Sequence, residues 1–67
     1  MYSLEILTKR EIQILKLVCS GYSNNEISQK LFISEHTVKY HVVSVLKKFN
    51  VKNRVYLAYI VGKNNLI

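Results

Sequence analysis

Sixty-seven residues, 49% of them apolar, make one small folded domain and exclude a disordered tail. Ten Lys and Arg against four Asp and Glu leave a net charge of +6, which points to a polyanion as partner. One cysteine rules out an internal disulfide and fits a reducing compartment, no Cys/His spacing suggests zinc, and the scarcity of glycine with no proline favours helices over strands.

The N-terminal stretch MYSLEILTKRE lacks the long apolar segment of a signal peptide. The first helix is expected over residues 9–20. Thr8 and Glu11 have the spacing of a capping box, with Leu7 and Ile12 as the hydrophobic staple. Its inner stripe is Ile14, Leu15 and Val18, and Gly21 is placed to end it in the left-handed conformation. Cys19, on the apolar flank beside Val18, reads as a small core residue and not as a reactive thiol.

The second helix is expected over residues 24–31. Ser23 and Glu26 repeat the capping box, Tyr22 and Ile27 repeat the staple, and Ile27 and Leu31 lie one turn apart. Only Phe32 and Ile33 then precede Ser34, which caps a third helix over residues 35–49. Thr37 stands where a capping box would want Glu. A short helix, a brief turn and a longer basic helix describe a helix-turn-helix, although the usual turn glycine is missing. Ser28, where the two helices should cross, is small enough to permit close approach.

The third helix has two unlike faces. With about 100° per residue and His36 at zero, Val45, Val38, Phe49, Val42 and Leu46 fall within an arc of roughly 100°. That stripe suits a core. His36, Tyr40, Val43 and Lys47 lie on the opposite side, with Lys39 close by, and no acid occurs beyond the first turn. Charge is also divided along the chain. Residues 1–35 hold Lys9, Arg10, Lys16 and Lys30 against Glu5, Glu11, Glu26 and Glu35, whereas residues 36–67 hold six cations and no acid. An ordinary solvated surface would also carry lysines, so charge alone leaves a nucleic acid, a membrane surface and a merely basic protein open.

Asn50 can supply the left-handed residue that ends the third helix, and Asn53 can cap a fourth over residues 54–64. That helix is apolar nearly all round. Its run from Val55 to Val61 is far short of the roughly 20 residues that span a bilayer, so no membrane partner is expected. A terminal helix on so small a domain cannot bury every side. Its outer face is taken to be Tyr56, Tyr59 and Ile60, with Lys63 at the end, and is expected to pair two copies as a homodimer.

The histidines give no chemistry. His36 and His41 are five apart, about 140° round the helix, unlike the i, i+4 spacing of helical zinc pairs. No nucleophile set, carboxylate pair or glycine-rich phosphate loop is visible, so no enzyme, metal or cofactor is expected.

Four spaced motifs carry a resemblance. LT.RE at Leu7–Glu11, G.SN.EI at Gly21–Ile27, L.IS..TVK.H at Leu31–His41 and V..R...A at Val51–Ala58 occur in this order. Together with the GKNNLI ending they closely resemble the LuxR/GerE-type (NarL/FixJ-like) helix-turn-helix domain of bacterial transcription regulators. The resemblance implies an all-α, compact tetrahelical domain whose third helix reads the major groove and whose fourth pairs with a second subunit. It implies base reading by Lys39, Tyr40 and Val43, with His36 on the same face. It implies phosphate contacts from Thr37, from the second helix's start at Ser23 and Asn24, and from Lys52 and Arg54; His41 matches the family's His and braces the helix near the phosphate backbone, and the charge of Lys47 and Lys48 suits them to phosphate as well. Lys39 could donate to guanine, Val43 could touch a thymine methyl, and Tyr40 could do either or stack on sugar. This sequence departs from the family at Asn25, commonly basic, at Ser28, commonly Ala, and at Lys9, where Pro is frequent.

The resemblance makes a cytoplasmic regulator, at the nucleoid when bound to double-stranded DNA, with RNA polymerase as a further candidate partner. The chain is expected to be either a short stand-alone protein or the effector end of a longer response regulator. Two alternatives have their own discriminators. An interaction module of the same fold would shift no DNA at low salt, and a promoter-reading fragment of a sigma factor would co-purify with RNA polymerase core.

Overall fold

In the computed structural model, which describes residues 2–67, a single 3-10 turn (Leu4–Ile6) leads into four helices: α1 (Lys9–Cys19), α2 (Asn24–Leu31), α3 (Glu35–Phe49) and α4 (Arg54–Lys63). The described residues contain no strand. The starts of all four helices fall where the caps place them. The Thr8 and Ser23 hydroxyls accept from the backbone N–H of Glu11 and Glu26, and both glutamates return the bond to the capping residue's own N–H. Ser34 accepts from Thr37 N–H at 3.0 Å and Asn53 from Tyr56 N–H at 2.8 Å. The ends of α1 and α4 come one residue earlier than the spacing predicts, because Ser20 and Asn64 are the C-caps. The Leu4–Ile6 turn, capped by Ser3, has no counterpart in the sequence reading.

A left-handed residue lies just beyond each of the four helices, Asn65 (φ 55°) being the one after α4. Gly21 (φ 91°) follows α1, Phe32 (φ 57°) ends α2 and Asn50 (φ 55°) ends α3. Phe32 therefore takes the backbone role that glycine has in other turns of this kind. Its side chain is 94% exposed, so neither packing nor backbone preference favours phenylalanine there.

The core has two lobes with α3 as their shared wall. Ile14 and Val18 of α1, Ile27 of α2, and Val38 and Val42 of α3 form one, with Tyr22, Leu31 and Ile33 against it. Leu15 of α1, Val45 and Phe49 of α3, Val51, and Leu57, Ile60 and Val61 of α4 form the other, together with Leu7. Leu46 touches both lobes. Ser28 is buried beneath α3 and donates to Asn25 O at 2.6 Å, so the crossing accommodates a hydroxyl that is satisfied within its own helix. Cys19 packs against the second lobe, and burial pushes its thiol pKa up, which keeps it protonated and unreactive.

One expectation is corrected. Ile60 was placed on the outer face of α4, but it is 6% exposed and belongs to the core. An all-apolar helix has no polar side to show which way it faces. Leu57, Ile60 and Val61 turn inward here, and Val55, at 78% exposure, faces out with Tyr56 and Tyr59.

Candidate nucleic-acid interface

Five exposed residues of α3 form a single strip. His36, Lys39, Tyr40, Val43 and Lys47 all face solvent, with Tyr40 at 69% and Val43 at 39% exposure. Fifteen residues give the helix a length of about 22 Å, free along this whole side. Glu35, its only acid, accepts a hydrogen bond from Asn25 Nδ2 and is held at the α2 side of the turn. His41 is half-buried, with its ring edge-on to Tyr40 at 5.7 Å, and so lies beside the strip and not on it.

The strip is held at a fixed angle by a buried carboxylate that sequence reasoning had assigned only to a cap. Glu11 Oε1 accepts from Lys48 Nζ at 2.7 Å and Oε2 from Ser44 Oγ at 2.6 Å, while Oε1 also takes the Thr8 N–H. Burial by itself raises the Glu11 pKa. The bonds from Lys48, Ser44 and Thr8 and the lysine charge outweigh it and bring the pKa down to about 2. Ser44 and Lys48 lie about 40° apart on the helix wheel, on the flank between the exposed strip and the core. That spacing was the available signal for a partner on α1.

A second tie joins the start of α4 to the start of α2. The Arg54 guanidinium donates to Asn24 Oδ1 and to Tyr22 O, the latter at 2.9 Å. Three side chains expected at phosphates, Lys48, Arg54 and Asn24, thus make bonds within the domain. Ser23 is engaged in its capping box, and Thr37 Oγ1 accepts from Ser34 Oγ at 2.9 Å. Lys39, Lys47 and Lys52 are exposed and make no side-chain hydrogen bond to the described residues.

The outer side of α4 shows Val55, Tyr56, Tyr59, Gly62 and Lys63. The Tyr56 and Tyr59 rings stack at 5.9 Å, and Lys63 Nζ lies 5.8 Å from the Tyr59 ring centre. No group of His, Cys, Asp or Glu among the described residues could hold a metal ion, and no helix is long and apolar enough to cross a membrane.

A short helix, a turn through a left-handed residue and a longer helix braced by α1 with its outer side free define a four-helix domain of the helix-turn-helix class. The family model described as GerE, bacterial regulatory proteins of the luxR family, matches residues 5–61, and the chain belongs to that family. It is 53% identical over 51 residues to the transcriptional regulatory protein DegU of Brevibacillus brevis, covering 76% of this chain and 22% of the relative. It is 43% identical over 63 residues to the transcriptional regulatory protein LiaR of Bacillus subtilis (strain 168), covering 94% of this chain and 30% of the relative. The crystal structure of the response regulator ChrA, from a heme-sensing two-component system, superposes with a TM-score of 0.83 at 43% identity, over 91% of this chain and 30% of that one. The chain therefore spans less than a third of the length of these relatives.

Proposed function

We propose that the chain binds double-stranded DNA sequence-specifically as the DNA-binding part of a bacterial transcription regulator, with α3 in the major groove. The observation that carries this reading is the outward face of α3: three cations or imidazoles, an exposed tyrosine and an exposed valine, with the helix's single acid turned to a neighbour. A solvated face has no use for Tyr40 and Val43, whereas base edges offer both donors' partners and methyl groups. The similarity to transcriptional regulatory proteins supports it.

In this reading His36, Lys39, Tyr40 and Val43 meet bases. Lys47 and Lys52 meet phosphates, with Thr37, His41 and the α2 start at Ser23 and Asn24 close to the backbone. Free N–H groups at a helix start favour anions. Lys48 and Arg54 serve mainly to hold α1, α2, α3 and α4 in place, and reach phosphate only with the donors their internal bonds leave over. Two copies joined through Tyr56, Tyr59 and Lys63 would present two recognition helices to two half-sites. RNA polymerase is a further partner that a regulator of this kind would meet, and the cytoplasm is where it would act.

Binding to duplex DNA measured at rising salt tests the proposal. Lys39, Lys47 and Lys52 neutralising about three phosphates give a log–log slope of about −2.7 per copy. An affinity indifferent to salt, or no complex at low salt, overturns the DNA reading.

A further inference from the structure

Two features at opposite ends of α2 have no counterpart within the chain. At its end, the Phe32 ring is 94% exposed on a backbone held in the left-handed region, a strain that no packing offsets. Strained positions of this kind cluster where a chain meets a ligand or a partner. Just before its start, Val18, Cys19, Gly21, Tyr22, Val55 and Ala58 line an open, mainly apolar cleft of about 300 Å³ between α1 and α4. Nothing lies within 4 Å of where a Cβ on Gly21 would stand, so the cleft is open on that side. A cavity of about 150 Å³ already holds benzene, so a phenyl ring fits.

We infer that the Phe32 ring of one copy docks in the α1–α4 cleft of the next, so that copies join head to tail. The eight residues of α2 hold ring and cleft about 12 Å apart, so the two cannot meet within one chain. A copy whose cleft is filled still has its own ring free, and the contact therefore does not close on itself. It is distinct from the pairing proposed through Tyr56, Tyr59 and Lys63, none of which lines the cleft. Charge selects a second copy as the occupant. Glu35, three residues after Phe32, is exposed and gives only one carboxylate oxygen to Asn25, while the Arg54 guanidinium stands in the cleft lining. A phenylalanine buries about 150–250 Å², far below the roughly 1,200 Å² of stable complexes, so the contact is transient in free solution. It gains force between copies held side by side, whose effective concentration is millimolar.

Sedimentation velocity at millimolar chain concentration tests this without DNA. The native chain should form species larger than a dimer, in proportions that rise with concentration. Phe32→Gly keeps the left-handed turn and removes the ring; Ala58→Leu keeps the ring and fills the cleft from the α4 side. Each variant alone should lose the larger species while its circular dichroism stays helical. Mixed in equal amounts, the two should associate again, because one supplies the cleft and the other the ring. A native chain that stops at the dimer overturns the inference, as does a Phe32→Gly chain that sediments like the native one. A mixture that sediments as the average of its two variants also overturns it, since a head-to-tail contact requires complementation. Each of these results leaves the DNA-binding reading untouched.

Discussion

Glu11 shows how one residue can serve two levels of structure. It caps α1 locally and, through Lys48 and Ser44, fixes the far half of α3. Removing one partner of a buried, hydrogen-bonded charge is costly because the other is left unpaired. Glu11→Gln should therefore lower the unfolding free energy by about 2–3 kcal/mol, read as a lower urea midpoint with an unchanged slope. The pH dependence has a definite sign. The folded pKa of about 2 lies below the usual carboxylate value of 4.5, so the contribution is fully present above about pH 5. It is lost as pH falls through the window between 4.5 and 2. The native chain should lose stability across that window and Glu11→Gln should lose less; parallel curves would show that Glu11 is not the group responsible. Glu26, exposed in its own capping box, is also shifted down, by its bonds to the Ser23 backbone and side chain.

At the scale of the element, the turn between α2 and α3 is the least economical part of the chain. A non-glycine residue in the left-handed region costs about 1–2 kcal/mol, and an exposed Phe32 recovers nothing by packing. Phe32→Gly removes that strain and gives back part of it as chain entropy, so it should stabilise the domain by up to about 1 kcal/mol. A destabilised Phe32→Gly protein would mean that the phenyl ring has a partner in the folded chain. The starts of the helices were legible without any structure because a cap is a local device. Thr8, Ser23, Ser34 and Asn53 satisfy N–H groups three residues away, whatever the rest of the chain does. The turn was legible only as a missing glycine. That phenylalanine itself adopts the left-handed conformation is settled by the packing of Ile27, Leu31 and Ile33 on either side of it.

At the scale of the whole molecule, the longest dimension is 32 Å, close to one turn of B-DNA at about 34 Å. In the DNA-binding reading proposed above, one copy offers one recognition helix to one half-site, and useful specificity calls for two copies. In that proposal the outward face of α4, with the Tyr56–Tyr59 stack, is what joins them. Tyr59→Glu should abolish cooperative occupancy of two half-sites while leaving the circular dichroism spectrum helical. Half-sites that still fill together in that variant would place the interface elsewhere. Ile60→Glu should behave differently, unfolding the domain, because Ile60 lies in the core.

Local and periodic information determined the four helices, their caps, the core stripe of α3 and the acid-poor strip opposite, since each depends on residues within one or two turns of one another. The spaced motifs added the family. Three things were decided only when the helices packed. Ile60 turned inward and Val55 outward, because a helix apolar on every side takes its orientation from its neighbours. Lys48 and Arg54 became braces, because their partners Glu11, Asn24 and Tyr22 lie 30 or more residues away in sequence. Glu35 became tied to α2, because its partner Asn25 lies ten residues back and meets it only when α2 and α3 pack.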